Sequence, residues 1–146
     1  MANRTIGIGC DHAAYDLKLQ LSEELQRRGF SVHDFGTHAR ASCDYPDFAH
    51  ALASAIAKGD IDRGVLVCGT GVGMSIAANR HPEVRAVVCS EPLSARMSRR
   101  HNDANVLCLG ARIVGPDTAI DILSAFLEAE YEAGRHALRV EKLNTP

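Results

Sequence analysis

Short apolar runs rich in Ile, Val and Leu alternate along the chain with stretches in which charged residues recur at helical spacing. Thr5 to Cys10 is the first such run, an Ile/Gly strand. Tyr15, Leu17, Leu19, Leu21 and Leu25, interleaved with Lys18, Glu23, Glu24, Arg27 and Arg28, predict a helix that Gly29 stops. Phe30 to Phe35 predicts a second strand. Residues 36–46, the longest stretch without periodicity, lead from it into an Ala-rich helix from about Asp47 to Lys58. Val65 to Val67 read as the end of a buried central strand and Ser75 to Asn79 as the opening of a helix, with Gly69, Gly71 and Gly73 between them. Arg85 to Cys89 and Asn105 to Leu109 supply two more strands, separated by a short helix over Pro92 to Arg100. Gly115, Pro116 and Asp117 open a last long helix reaching about Glu132, which Gly134 interrupts before a basic tail. Five strand–helix units predict an α/β fold of three layers, α/β/α, around a five-stranded parallel, Rossmann-like sheet.

Composition narrows the picture. With 146 residues, 46% of them hydrophobic and 23% charged, and with no repeat, low-complexity tract or linker, residues 1–146 read as a single domain with one substantial core. A formal net charge of −2 supplies no broad basic field, which argues against a nucleic-acid partner and leaves a small anion open. No apolar run has the length of a membrane span, and Met1 to Thr5 lead into the first strand without a signal-peptide core, so a cytoplasmic protein is expected. Cysteines 10, 43, 68, 89 and 108 are odd in number and form no Cys-x-x-Cys pair. That spacing argues against a disulfide framework or structural zinc, and reduced thiols are expected.

The candidate chemistry centres on Cys68 to Gly73. Three glycines between a strand and a helix let the backbone approach a ligand and turn unpaired N–H groups toward it, a setting for an anion. Met74 stands where a Walker loop needs Lys and where a phosphatase-type loop needs Arg, and glycines spaced by two do not make the dinucleotide fingerprint. Cys68 ends the strand at the lip of this loop, as a candidate base or nucleophile or simply as a small apolar strand residue. In an open parallel sheet the ligand lies off the carboxyl ends of the strands. That rule groups Cys68 to Gly73 with Asp11 and His12, Ser90 and Glu91, and Gly110 to Arg112 along one edge. Asp11 taken alone reads first as a helix N-cap, and Arg112, Arg135 and Arg139 as surface charge, while His101 reads equally as a helix C-cap. Arg135 and Arg139, at i,i+4 spacing, would alternatively clamp one phosphate from a helix face. Asp11, His12, Cys68 and His101 lack a paired ligand spacing such as His-x-x-x-His, so no metal and no cofactor is expected.

Seven motifs then stand in order: Gly9-Cys-Asp-His12, Asp44-Tyr-Pro46, Cys68-Gly-Thr-Gly-Val-Gly73, Ile76-Ala-Ala-Asn79, Arg85 to Pro92, His101-Asn-Asp-Ala-Asn105 and Tyr131-Glu-Ala-Gly-Arg-His136. Together they resemble the type B ribose-5-phosphate isomerases, of the family that also includes allose- and galactose-6-phosphate isomerases. The resemblance implies a metal-free aldose–ketose isomerisation through an enediolate. By that resemblance Cys68 is the base, with Thr70 beside it, and the N–H groups of Gly69, Thr70, Gly71, Val72 and Gly73 hold the enediolate oxygen. His101 and Asp11 open the sugar ring, Tyr45 and Asn102 hold hydroxyls, and His12, Arg112, Arg135 and Arg139 hold the phosphate. Some members carry a Glu as base where this chain has Met74, so the chain matches the cysteine branch. The resemblance further implies a homodimer or dimer of dimers with sites shared between subunits, and a sheet whose last two strands are exchanged relative to flavodoxin order. The alternatives are preference for a six-carbon sugar phosphate, a sugar-phosphate sensor without turnover, and a thiol-based phosphoryl hydrolase, which the missing loop Arg disfavours.

Overall fold

In the computed structural model, which describes residues 4–145, all five strands are parallel. The reading of Met1 to Asn3 as free of a leader lies outside the described residues. The chain runs β1 (Thr5–Cys10), α1 (Tyr15–Arg27), β2 (Ser31–Asp34), α2 (Tyr45–Ala57), β3 (Arg63–Cys68), α3 (Val72–Ala78), β4 (Ala86–Val88), α4 (Pro92–Asn102), β5 (Val106–Gly110), α5 (Pro116–Glu128) and α6 (Ala137–Lys142). The sheet order is β2-β1-β3-β5-β4, with the last two strands exchanged as expected.

Alternation along the strands divides the core into two layers. Ile6, Ile8, Val65, Val67, Leu107 and Leu109 face Leu21 and Leu25 of α1 and Ile122, Leu123 and Phe126 of α5. On the opposite face, Leu66, Cys68, Val106 and Cys108 pack with Leu52 and Ala53 of α2 and Met74 and Ala78 of α3. The side chain of Cys68 therefore belongs to the α2/α3 side. Strands covered on both faces explain why β3 from Gly64 onward and β5 are apolar rather than alternating.

The helix ends depart from the sequence pattern in three places that matter for the site. Helix α2 begins at Tyr45, with Pro46 in its first turn, so Tyr45 is fixed to a helix rather than carried by a loop. Helix α3 begins at Val72, which draws Gly73 and Met74 into it. Helix α5 stops at Glu128, and residues 129–133 form an irregular connector that places Glu132 off the helix. Lys18, grouped above with the polar face of α1, is 1% exposed. Its ammonium donates to Asp34 and to the Thr37 carbonyl, tying α1 to the end of β2.

Register fixes the sheet edges. Gly64 pairs with Val106 and Cys68 with Gly110, so β3 and β5 start together at one edge and end together at the other, about 13 Å away for four residues of strand. Helix α4 leaves the carboxyl end of β4 and returns to the amino edge, where it delivers His101 and Asn102 just before β5 begins.

Candidate active site

The carboxyl edge carries a cleft of about 420 Å³. Cys68 lies at its base, 5% exposed, and the Gly71 N–H donates to its Sγ over 3.1 Å. That contact requires the chain to double back, which Gly71 does with φ of 80°. Thr70 Oγ1 accepts from the Val72 N–H at 3.3 Å. The Tyr45 ring covers Gly73, leaving no space there for a side chain, and Arg112 lies over Gly69 and donates its N–H to the Gly69 carbonyl at 3.0 Å. Asp11, buried, closes the far side and caps the following turn by accepting from the Ala13 N–H at 3.0 Å. Asp11 thus caps the turn and lines the cleft at once. Val72 and Ile76, each about half exposed, form an apolar rim.

His12 follows Asp11 on the same edge. Its Nδ1 accepts from the Cys43 N–H at 3.2 Å, which places the ring proton on Nε2, ready to be donated to an anion. Burial pushes the Cys10 and Cys89 thiols up to about 11 and Cys108 higher still, so these three are inert. Two amides of the glycine loop are already turned onto the loop's own side chains, a use of them that the sequence did not disclose.

The structure gathers Asp11, His12, Tyr45, Arg112 and the loop from Cys68 to Gly73 at one edge, but not the other expected residues. His101 and Asn102 end α4 at the amino edge, where Asn102 lines a separate cavity of about 540 Å³ with Arg85 and Leu143. Arg135 lies in a 3-10 turn, Gly134–His136, and Arg139 in α6, so their spacing is not that of one continuous α-helix. Both lie close enough to His136 to disfavour its charged form.

Sequence reasoning gave no role to Glu132 and His136, although their i,i+4 spacing was legible. Glu132 Oε2 lies 3.4 Å from Nε2 of the buried His136 and 3.8 Å from Nε2 of His101, and the two imidazoles stack with centroids 4.2 Å apart and planes 15° apart. The Arg100 guanidinium grips the other carboxylate oxygen, Oε1, through Nε at 2.7 Å and through Nη2. This holds the Glu132 carboxyl below its usual range. Burial above all, and then the neighbouring cations, lower the His136 pKa. The potential ligand atoms of His101, Glu132 and His136 lie within 4.8 Å of one another, a spacing short enough for a metal ion. The chemistry fits an ion poorly. An ion between two near-parallel rings would stand well out of the plane of each nitrogen lone pair, and Arg100 already occupies half of the carboxylate.

Comparison with known proteins agrees with this architecture. A relative in Escherichia coli (strain K12), ribose-5-phosphate isomerase B, is 51% identical over 140 residues, covering 96% of this chain and 94% of the relative. D-erythrulose-4-phosphate isomerase from Pectobacterium atrosepticum is 44% identical over 140 residues, covering 95% and 92%. The solved structure of Clostridium thermocellum ribose-5-phosphate isomerase B superposes with a TM-score of 0.94 at 54% identity, covering 96% of this chain and 95% of that one. The Ribose/Galactose Isomerase profile matches residues 6–143, and the chain belongs to that family.

Proposed function

We propose that this chain is an aldose–ketose isomerase that interconverts ribose 5-phosphate and ribulose 5-phosphate through an enediolate. The observation that carries the proposal is the carboxyl-edge cleft, where a cysteine, a glycine loop, Tyr45, Asp11 and Arg112 converge. Its volume suits a phosphorylated pentose. The names of the relatives support the same reading.

The reaction divides into two parts. In ring opening the anomeric hydroxyl gives its proton to one of the pair His101 and Asp11. The C1–O4 bond breaks with its electrons on O4, which takes a proton from the other member, and C1 becomes a carbonyl. In isomerisation Cys68 takes the C2 proton. The electron pair moves into a C1–C2 double bond, and the former carbonyl oxygen carries the negative charge, facing the amides of Gly69, Thr70 and Gly73 that Cys68 and Thr70 leave free. The C2 hydroxyl passes its proton to the C1 oxygen, and return of the carbon-bound proton from Cys68 to C1, as C2 becomes the carbonyl, completes the ketose. His12, Arg112, Arg135 and Arg139 grip the phosphate, binding remote from the reacting carbons that orients them.

His101, Asn102, Arg135 and Arg139 belong to the opposite edge of the sheet from Cys68. A site containing both sets takes one from each of two chains. The proposal therefore includes a homodimer in which Val72 and Ile76 are covered by a partner.

Incubation with ribose 5-phosphate, following ribulose 5-phosphate and free phosphate, tests the activity. Appearance of the ketose without phosphate release is expected, with full rate after exhaustive chelation. Binding without conversion would leave only a sensor, and phosphate release would make the chain a hydrolase. Rates on allose 6-phosphate and D-erythrulose 4-phosphate, measured alongside, place the preferred chain length.

A further inference from the structure

The Glu132 carboxylate divides its two oxygens between different partners. Oε1 belongs to Arg100, and the Glu132 N–H also donates to the Arg100 carbonyl at 3.0 Å, so the connector after α5 is pinned to the last turn of α4 at two points. Oε2 is left facing two imidazoles, each by Nε2. His136, 7% exposed, backs the partly exposed His101 ring as a flat wall. The charged groups around the pair are Arg100 of α4, Glu132 of the connector, Arg135 of the turn and Arg139 of α6. Two stacked imidazolium ions among three arginines would repel strongly, so at most one ring carries charge. The buried ring is the one held neutral.

We propose that Glu132 and His136 are positioning residues for His101: Glu132 holds the proton on His101 Nε2 and leaves Nδ1 to exchange protons with the sugar, while His136 fixes the plane of the ring. The inference rests on the reading of His101 as the ring-opening group. Its physical basis is that the hydrogen bond at one imidazole nitrogen decides the state of the other, and that an adjacent carboxylate stabilises the imidazolium formed when Nδ1 takes a proton. At 3.8 Å the His101–Glu132 contact is an ion-pair distance rather than a hydrogen bond. Contacts of this kind tighten when substrate is bound. Glu132 thereby acts on ring opening alone and has no part in proton transfer at Cys68.

Ribulose 5-phosphate separates the two steps, because its C5 oxygen is esterified and it has no furanose ring to open. Exchange of its C1 proton in deuterium oxide needs Cys68 and the enediolate but not ring opening, whereas conversion of ribose 5-phosphate needs both. Glu132→Gln and His136→Asn are expected to lower ribose 5-phosphate turnover by about tenfold or more, a fraction of the usual acid–base effect. C1 exchange in ribulose 5-phosphate should stay within about twofold of wild type, as should inhibition by inorganic phosphate. His101→Ala, assayed in parallel, should show the same split more strongly. If His101→Ala splits the two rates and Glu132→Gln does not, the positioning role is overturned and the reading of His101 survives. If His101→Ala slows both rates equally, or neither, that reading fails and this inference fails with it. A parallel loss of both rates, or of phosphate inhibition, in the Glu132 and His136 variants would assign them a structural role and overturn the proposal.

Discussion

A β-carbon on Gly73 would stand 2.5 Å from Tyr45 Cζ and 2.9 Å from its hydroxyl, so the first turn of α2 closes over the first turn of α3 only because residue 73 has no side chain. Gly73→Ala must expel the Tyr45 ring from the cleft. A loss of about tenfold to a hundredfold in kcat/KM is expected, since misplacement of a binding group by about 1 Å costs on that order. In Tyr45→Ala the same alanine at 73 should cost little more, because the clash is already gone. Strictly additive losses in that double-variant cycle would show that Gly73 acts otherwise.

Cys68→Ala should abolish both isomerisation and C1 exchange with the fold intact, because a thiol at 5% exposure is close to Ala in volume. Retention of more than about a hundredth of wild-type turnover, the lower end of a general base's effect, would remove Cys68 from the role of base.

Arg135→Ala and Arg139→Ala are each expected to weaken inhibition by inorganic phosphate by about tenfold to a hundredfold, as loss of a charge-assisted contact does. Unchanged phosphate inhibition in the double variant would disprove the clamp.

The two-edge arrangement makes a prediction about assembly. Cys68→Ala and His101→Ala homodimers should each be inactive, since every site lacks one of the two residues. Refolding an equal mixture makes about half the dimers mixed, and each mixed dimer has one site with both residues intact, so about a quarter of wild-type activity should return. If labelled subunits exchange and activity does not return, each chain carries its own complete pair.

Acid stability tests a different part of the molecule. Hydrogen bonds from Arg27 and then Arg28 lower the Glu24 carboxyl to about 2 from an ordinary 4.5, and Arg28 also bonds Ser124 of α5 and approaches Glu128. A carboxyl depressed in the folded state adds stability that is fully present above its unfolded pKa and is lost as pH falls toward the folded value. Glu24→Gln should therefore lower stability at neutral pH and flatten its decline between pH 4.5 and 2. Denaturation midpoints across that range measure it, and parallel curves for the two proteins would rule the contribution out.

Most of this fold could be read from periodicity because buried parallel strands and amphipathic helices leave strong local signals. The strand order came only with the resemblance, since nothing local in β4 or β5 encodes which is central. Helical spacing places Lys18 among charged residues, while its burial depends on Asp34 and the Thr37 carbonyl, reached only through tertiary structure. The lack of periodicity over residues 36–46 hides Tyr45 in a loop, whereas Pro46 occupies the first turn of α2 and Tyr45 begins the helix. At the site, Cys68 and its glycines announced themselves as one contiguous motif. Glu132 and His136 did not, because the third member of their cluster lies some thirty positions earlier on another helix.

The place of β5 in the sheet has a consequence for the birth of the chain. Strand β4 pairs with β5 alone, and β5 also supplies the second neighbour of β3. A nascent polypeptide whose emerged part ends before Val106 holds three paired strands and a fourth with no partner. The unpaired edge of β3 stays open until the last third of the sequence leaves the ribosome. The wall that Gly110 and Arg112 give the cleft arrives with the same segment. An early fragment carries Asp11, Tyr45 and the Cys68 to Gly73 loop without the wall that completes the cleft, and a chain cut short in translation is left with an exposed strand edge, the feature by which quality-control machinery and aggregation both select.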